Sequence, residues 1–178
     1  MSQTQASGPI VILFGPPGSG KTSTAKELSK KIGIPYKDSD QEIVKQTGKE
    51  VSEIFLESGE VAFRQIEKKI ALDLIHQPGI ILALGGGSVM TEEIYQACID
   101  SGALRVYLTI KSETAAKRVG FDKARPMLVV NPRSAWNELM EKRRETYQSL
   151  AQITIHNDHD IKSGVQTIKN HLSTLVEK

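Results

Sequence analysis

The chain has 178 residues, the size of one compact domain, and its 39% hydrophobic and 25% charged content lies outside the range in which chains stay disordered. Lysine and arginine number 23 against 21 acidic residues, and a net charge of +2 gives no long-range field suited to nucleic acid or an anionic membrane surface. Cys98 is the only cysteine, which excludes an intrachain disulfide, a dithiol redox pair and a cysteine-based zinc site.

Met1 to Pro9 lacks the basic start and apolar stretch of a secretory signal, and no apolar run approaches the roughly 18 residues of a spanning helix. The expectation is a cytoplasmic protein with no membrane or nucleic-acid partner, residues 1–9 forming a flexible tail and residues 10–178 a single domain. Short β-branched runs then alternate with longer stretches of helical period, the pattern of parallel strands joined by crossover helices, so the fold class is α/β. Ile10 to Phe14 reads as the first strand and Lys21 to Ile32 as a helix stopped by Gly33; Ile34 to Lys37 adds an edge strand. Glu60 to His76 carries Phe63, Ile66, Ile70 and Leu74 on one helical stripe. Strand Ile80 to Leu84, helix Thr91 to Ser101 and strand Leu104 to Ile110 follow. Helix Ser134 to Leu150, strand Ile153 to Ile155 and helix Ser163 to Val176 complete the chain. The strands are apolar without clean alternation, as strands covered on both faces should be.

Between the first strand and the first helix stands Gly15-Pro16-Pro17-Gly18-Ser19-Gly20-Lys21-Thr22, which satisfies the phosphate-loop pattern. Glycines there let backbone N–H groups close on phosphate oxygens, the helix start adds partial positive charge, Lys21 neutralises the outer phosphates and Thr22 offers a hydroxyl to Mg²⁺. A glycine-rich turn without a ligand would explain neither the Lys-Thr ending nor the placement after a buried strand. The loop implies a nucleotide and names no second substrate.

Four other features bear on that substrate, each with a plainer alternative. Asp38-Ser39-Asp40 puts two carboxylates on one face if extended, one for magnesium and one for a hydroxyl; Asp as a helix cap before Glu42-Ile43-Val44 is equally compatible. Arg64 and Glu67 are three apart and adjacent on a helix, where an isolated pair is more often a solvated bridge. Gly85-Gly86-Gly87 ends a central strand, at the edge of an open sheet where ligands lie, although a flexible turn would use the same residues. The stretch from Arg118 to Asn131 with Arg125-Pro126 suits a mobile flap with Gly120 as hinge. Beyond it Arg143, Arg144 and Tyr147 lie on a charged helix whose Glu138, Glu141 and Glu145 could pair with the arginines at the surface. His156 and His159 are too few for a metal site, and no residue of 156–161 is assigned a role.

The order of these pieces is more specific than any one of them. Phosphate loop, Asp38-Ser39-Asp40-Gln41-Glu42-Ile43, Phe63-Arg64-Gln65-Ile66-Glu67, Gly85-Gly86-Gly87-Ser88-Val89, Arg125-Pro126-Met127-Leu128, and Arg143 four before Tyr147 together resemble the shikimate kinase family over nearly the whole chain. The resemblance implies a three-layer α/β/α P-loop kinase fold with a parallel sheet of about five strands, a substrate-binding region near 38–66 and a lid near 118–131. It implies transfer of the γ-phosphoryl group of ATP to the 3-hydroxyl of shikimate, on the route to chorismate and aromatic amino acids, by a monomer.

By the same match Asp40 contacts the substrate hydroxyls, Arg64 and Arg143 clamp the carboxylate, and Gly85, Gly86 and Gly87 border the substrate, Gly86 through its backbone. Lys21 and Arg125 attend the transferring phosphate. Gly18, Ser19, Gly20, Thr22, Ser23 and Arg118 join them around ATP, and Thr22 and Asp38 enter the magnesium shell. Pro16-Pro17 is also a spelling of nucleoside monophosphate kinases, so a kinase acting on gluconate or a nucleoside monophosphate, or a catalytically silent nucleotide-binding module, remain the alternatives.

Overall fold

The structure, a computed structural model, describes residues 8–120 and 132–176. Five parallel strands form one sheet: β1 (Val11–Phe14), β2 (Tyr36–Asp38), β3 (Ile81–Ala83), β4 (Leu104–Thr109) and β5 (Ile153–His156), in the spatial order β2-β3-β1-β4-β5. Strand β1 is central, with Val11 opposite Ile81 on one side and Leu104 on the other. After β1 the chain builds outward to β2 and back to β3, then crosses to β4 and β5. The switch point of the sheet therefore lies at the carboxyl end of β1, where open α/β sheets hold their ligands.

The side chains of β1 alternate between two cores. Ile12 and Phe14 enter a cluster with Leu82, Tyr107, Ile70, Leu74, Ile94, Met140 and Tyr147; Val11 and Leu13 enter another with Ile81, Val106, Ala25, Leu28, Val165 and Ile168. Hence the first face is covered by α3 (Val51–Ile75), α4 (Glu92–Asp100) and α6 (Pro132–Leu150), and the second by α1 (Lys21–Ile32) and α7 (Ile161–Val176). This is the three-layer arrangement. Apolar runs on both faces leave the central strands little freedom of register.

Of the two readings of Asp38-Ser39-Asp40 the structure shows the cap: Asp38 ends β2 and caps a helix, α2 (Ser39–Thr47), so Asp40 lies in a first helical turn. The two carboxylates are brought together by a strand-to-helix corner instead of by a shared strand face. Helix α3 begins at Val51, and Gly59 with φ 78° and ψ 174° breaks it near where the helical stripe was expected to start. Arg118 and Gly120 belong to α5 (Ser112–Gly120), a helix not among those read from the sequence; residues 121–131, with Arg125 and most of the expected lid, lie outside the described residues.

Candidate active site

The loop between β1 and α1 is shaped by steric exclusion. A Cβ on Gly15, whose φ is 142°, would stand 2.3 Å from the Leu108 carbonyl oxygen of the neighbouring strand, so only glycine fits. Gly20 caps α1 at φ 83° with no side-chain bond to the first turn, leaving those N–H groups for an anion. The Lys21 ammonium donates to the carbonyls of Gly15 and Pro16 at 3.0 and 3.1 Å, arching over the loop.

Asp38 joins this loop to β2. Its Oδ1 accepts from the N–H groups of Asp40 and Gln41 at 2.9 and 3.2 Å, and its Oδ2 accepts from the Thr22 hydroxyl. One carboxylate thus caps α2 and holds a hydroxyl of the phosphate loop. A hydroxyl and a carboxylate oxygen held together beside a phosphate cradle are hard oxygen donors of the type magnesium takes, so the residues fit that ion. Next along the chain, the Ser39 hydroxyl accepts from the Gly85 N–H at 2.8 Å and ties α2 to the end of β3.

The glycine triplet is bordered by Asp40, Glu67, Ser88, Pro17 and Arg64. A Cβ on Gly85 would lie 2.7 Å from Asp40 Oδ1 and 3.0 Å from both Glu67 Oε1 and Ser88 Oγ. One on Gly87 would lie 2.6 Å from Arg64 Nη1, and one on Gly86 would press on Pro17 at 3.3 Å. A plain turn would not require this clearance. The Arg64–Glu67 pair is likewise no solvated bridge: Glu67 is 2% exposed and holds Arg64 Nη1 at 2.6 Å with one oxygen and the Ser88 hydroxyl at 2.8 Å with the other. The Arg64 guanidinium also lies 5.4 Å from the Phe63 ring centre, which further narrows its orientations.

Helix α6 closes the back of the site. Trp136, Met140 and Tyr147 form its buried stripe, with half-buried Arg143 between the last two and exposed Arg144 beside it. The Tyr147 hydroxyl donates to the Gly86 carbonyl, and the Trp136 indole N–H to the Pro17 carbonyl at 3.4 Å. Tyr147 stacks on Tyr107, whose own hydroxyl pKa is raised by burial and only partly offset by the nearby Arg144 charge.

A hollow of about 440 Å³ is lined by Gly18, Gly20, Lys21, Thr22, Ser23, Asp38, Asp40, Leu84, Arg118 and Ile161. It brings together most of the nucleotide and metal residues expected from sequence, and Asp40 lines it with them. Gly85 adjoins Asp40 and Gly87 adjoins Arg64, and neither these glycines nor Arg64 line the hollow. Arg143 is one helical turn from Tyr147, on the side that meets Gly86. Sequence reasoning missed Ser39 and Asn157 altogether, because their partners are remote in the chain.

The family model described as "Shikimate kinase" matches residues 17–173. A shikimate kinase of Thermobifida fusca is 39% identical over 169 residues, 94% of this chain and 96% of that protein. One of Streptomyces coelicolor is also 39% identical, over 85% of this chain and 88% of its own length. Among solved structures, the shikimate kinase of Acinetobacter baumannii in complex with shikimate superposes with a TM-score of 0.90 at 30% identity over 100% of both chains.

Proposed function

The chain belongs to the shikimate kinase family, and from that premise we propose that it transfers the γ-phosphoryl group of ATP to the 3-hydroxyl of shikimate, giving ADP and shikimate 3-phosphate. The observation that carries the reading is the double placement of Asp40, which lines the hollow at the phosphate loop and adjoins the glycine triplet that borders Arg64. Donor and acceptor groups therefore share one residue.

The loop N–H groups and Lys21 hold the polyphosphate, and Lys21 follows the charge that spreads over the transferring phosphoryl oxygens. Thr22 and Asp38 would hold magnesium, which when bound neutralises phosphate charge. Arg64, oriented by Glu67, takes the acid's carboxylate in a planar fork, with Arg143 as the second cation. Asp40 orients the attacking hydroxyl and accepts its proton late, since bond breaking leads in a loose transition state. Arg125, assigned from the family resemblance, adds positive charge at the γ-phosphate. Positioning and charge stabilisation thus supply most of the rate.

ADP release with shikimate, gluconate and AMP side by side, each with and without Mg²⁺, tests this reading. Turnover with shikimate and Mg²⁺ alone is expected. Turnover with gluconate or AMP instead, or ATP binding with no acceptor accepted, would refute it.

A further inference from the structure

We propose that Asn157, in the turn between β5 and α7, is a positioning residue that sets the direction of the Gly20 N–H and with it the affinity of the loop for a nucleotide phosphate. The inference rests on the nucleotide reading above. Asn157 is 2% exposed. Its side-chain N–H donates to the Ser19 carbonyl at 2.7 Å and lies 3.4 Å from the Thr24 hydroxyl. A peptide unit is planar and trans, so its C=O and the following N–H point in opposite directions. Fixing the Ser19 carbonyl toward Asn157 turns the Gly20 N–H away from it, among the residues that line the hollow.

Two further observations point the same way. A Cβ on Gly20 would lie 2.6 Å from Asn157 Nδ2, so the missing side chain at Gly20 is what admits the amide. The Asn157 backbone is itself anchored: its N–H donates to the Thr109 carbonyl at 2.9 Å, and its carbonyl accepts from Arg118 Nη1 at 3.3 Å. Arg118 Nη1 also reaches the Gly18 carbonyl at 3.1 Å, and its Nη2 the Asp158 carbonyl at 3.3 Å. The turn after β5 and the phosphate loop are thereby one braced unit, and Ile161, just past the turn, lines the same hollow. An amide is required because a carbonyl can only accept; aspartate has the same shape and would set oxygen against oxygen.

The test compares Asn157→Asp, Asn157→Ala and Asn157→Ser with the parent, measuring ADP affinity by titration calorimetry and the ³¹P resonance of the bound β-phosphate. Asn157→Asp and Asn157→Ala are expected to weaken ADP binding roughly tenfold or more and to shift that resonance, with the acceptor KM within about twofold of the parent. Asn157→Ser, which keeps a donor, is expected to recover most of the loss. If Asn157→Asp fails to fold, the comparison of Ala with Ser carries the same expectation. ADP affinity in Asn157→Ala within twofold of the parent, an unshifted resonance, or equal losses for ADP and acceptor would each overturn the proposal. Failure of the parent itself to bind ADP would remove the nucleotide reading and this one with it, whereas parent binding without a loss in the variants removes this one alone.

Discussion

Glu67 holds Arg64 from inside the protein: the carboxylate is 2% exposed and the guanidinium 29%, so the acid is fixed by the fold and the base is presented from it. Removing one partner of a buried pair costs about 3 kcal/mol when the other is left charged, and less where water reaches that other group. Glu67→Gln should therefore lower the melting temperature modestly and raise the acceptor KM about tenfold, with kcat changed far less. Steady-state kinetics with the acceptor varied would check this; an unchanged KM would mean that Arg64 does not need its anchor.

The glycines separate two kinds of damage. In Gly87→Ala the atoms nearest the new methyl group are the guanidinium end of Arg64, a side-chain tip that can be pushed off Glu67 without moving backbone. That variant should fold within about 1 kcal/mol of the parent and lose acceptor affinity. In Gly15→Ala the methyl group meets the Leu108 carbonyl at 2.3 Å on a backbone with φ 142°, and neither can move without opening the sheet. A loss of about 3 kcal/mol or more is expected. Denaturant titration of the two variants side by side would show the order.

Ser19 has a hydroxyl that is fully buried with no hydrogen-bond partner among the described residues. Leaving such a group unsatisfied costs about 1 kcal/mol or more. Ser19→Ala should raise the melting temperature of the ligand-free protein by roughly 2–4 °C, a shift that calorimetry resolves.

Burial pushes the Cys98 thiol from 9.0 up to about 12. Below pH 9 the thiol is neutral in both the folded and the unfolded chain and stability does not depend on it. Between about pH 9 and 12 the unfolded chain releases a proton that the folded chain retains, so stability falls across that window. Urea midpoints measured from pH 8 to 11 should decline in the parent and decline less in Cys98→Ala. At pH 8 the thiol should resist iodoacetamide until the protein unfolds.

Much of this was legible in the sequence. Helix α1 runs from Lys21 to Ile32 as read from the motif and the Gly33 stop, because cap, period and breaker agree. The five strands announced themselves through β-branched runs. The start of helix α2 was one of two equal readings, since its N-terminus is the same Asp-Ser-Asp that reads as a chemical motif, and a capping carboxylate and a functional one have the same spelling. The burial of Glu67 was hidden because an i, i+3 ion pair carries no sign of what covers it; Ser88, its second partner, is 21 residues away. Asn157 was invisible for the same reason at greater distance, its contact with Ser19 spanning 138 residues.

If donor and acceptor meet at Asp40, a crystal structure of the protein with ADP and shikimate will show it. The acid's carboxylate should lie on Arg64 and Arg143, its 3-hydroxyl within hydrogen-bond distance of Asp40, and ADP along the Lys21 loop with its phosphates facing that hydroxyl. Shikimate bound away from Asp40, or bound with another hydroxyl toward the phosphates, would contradict it.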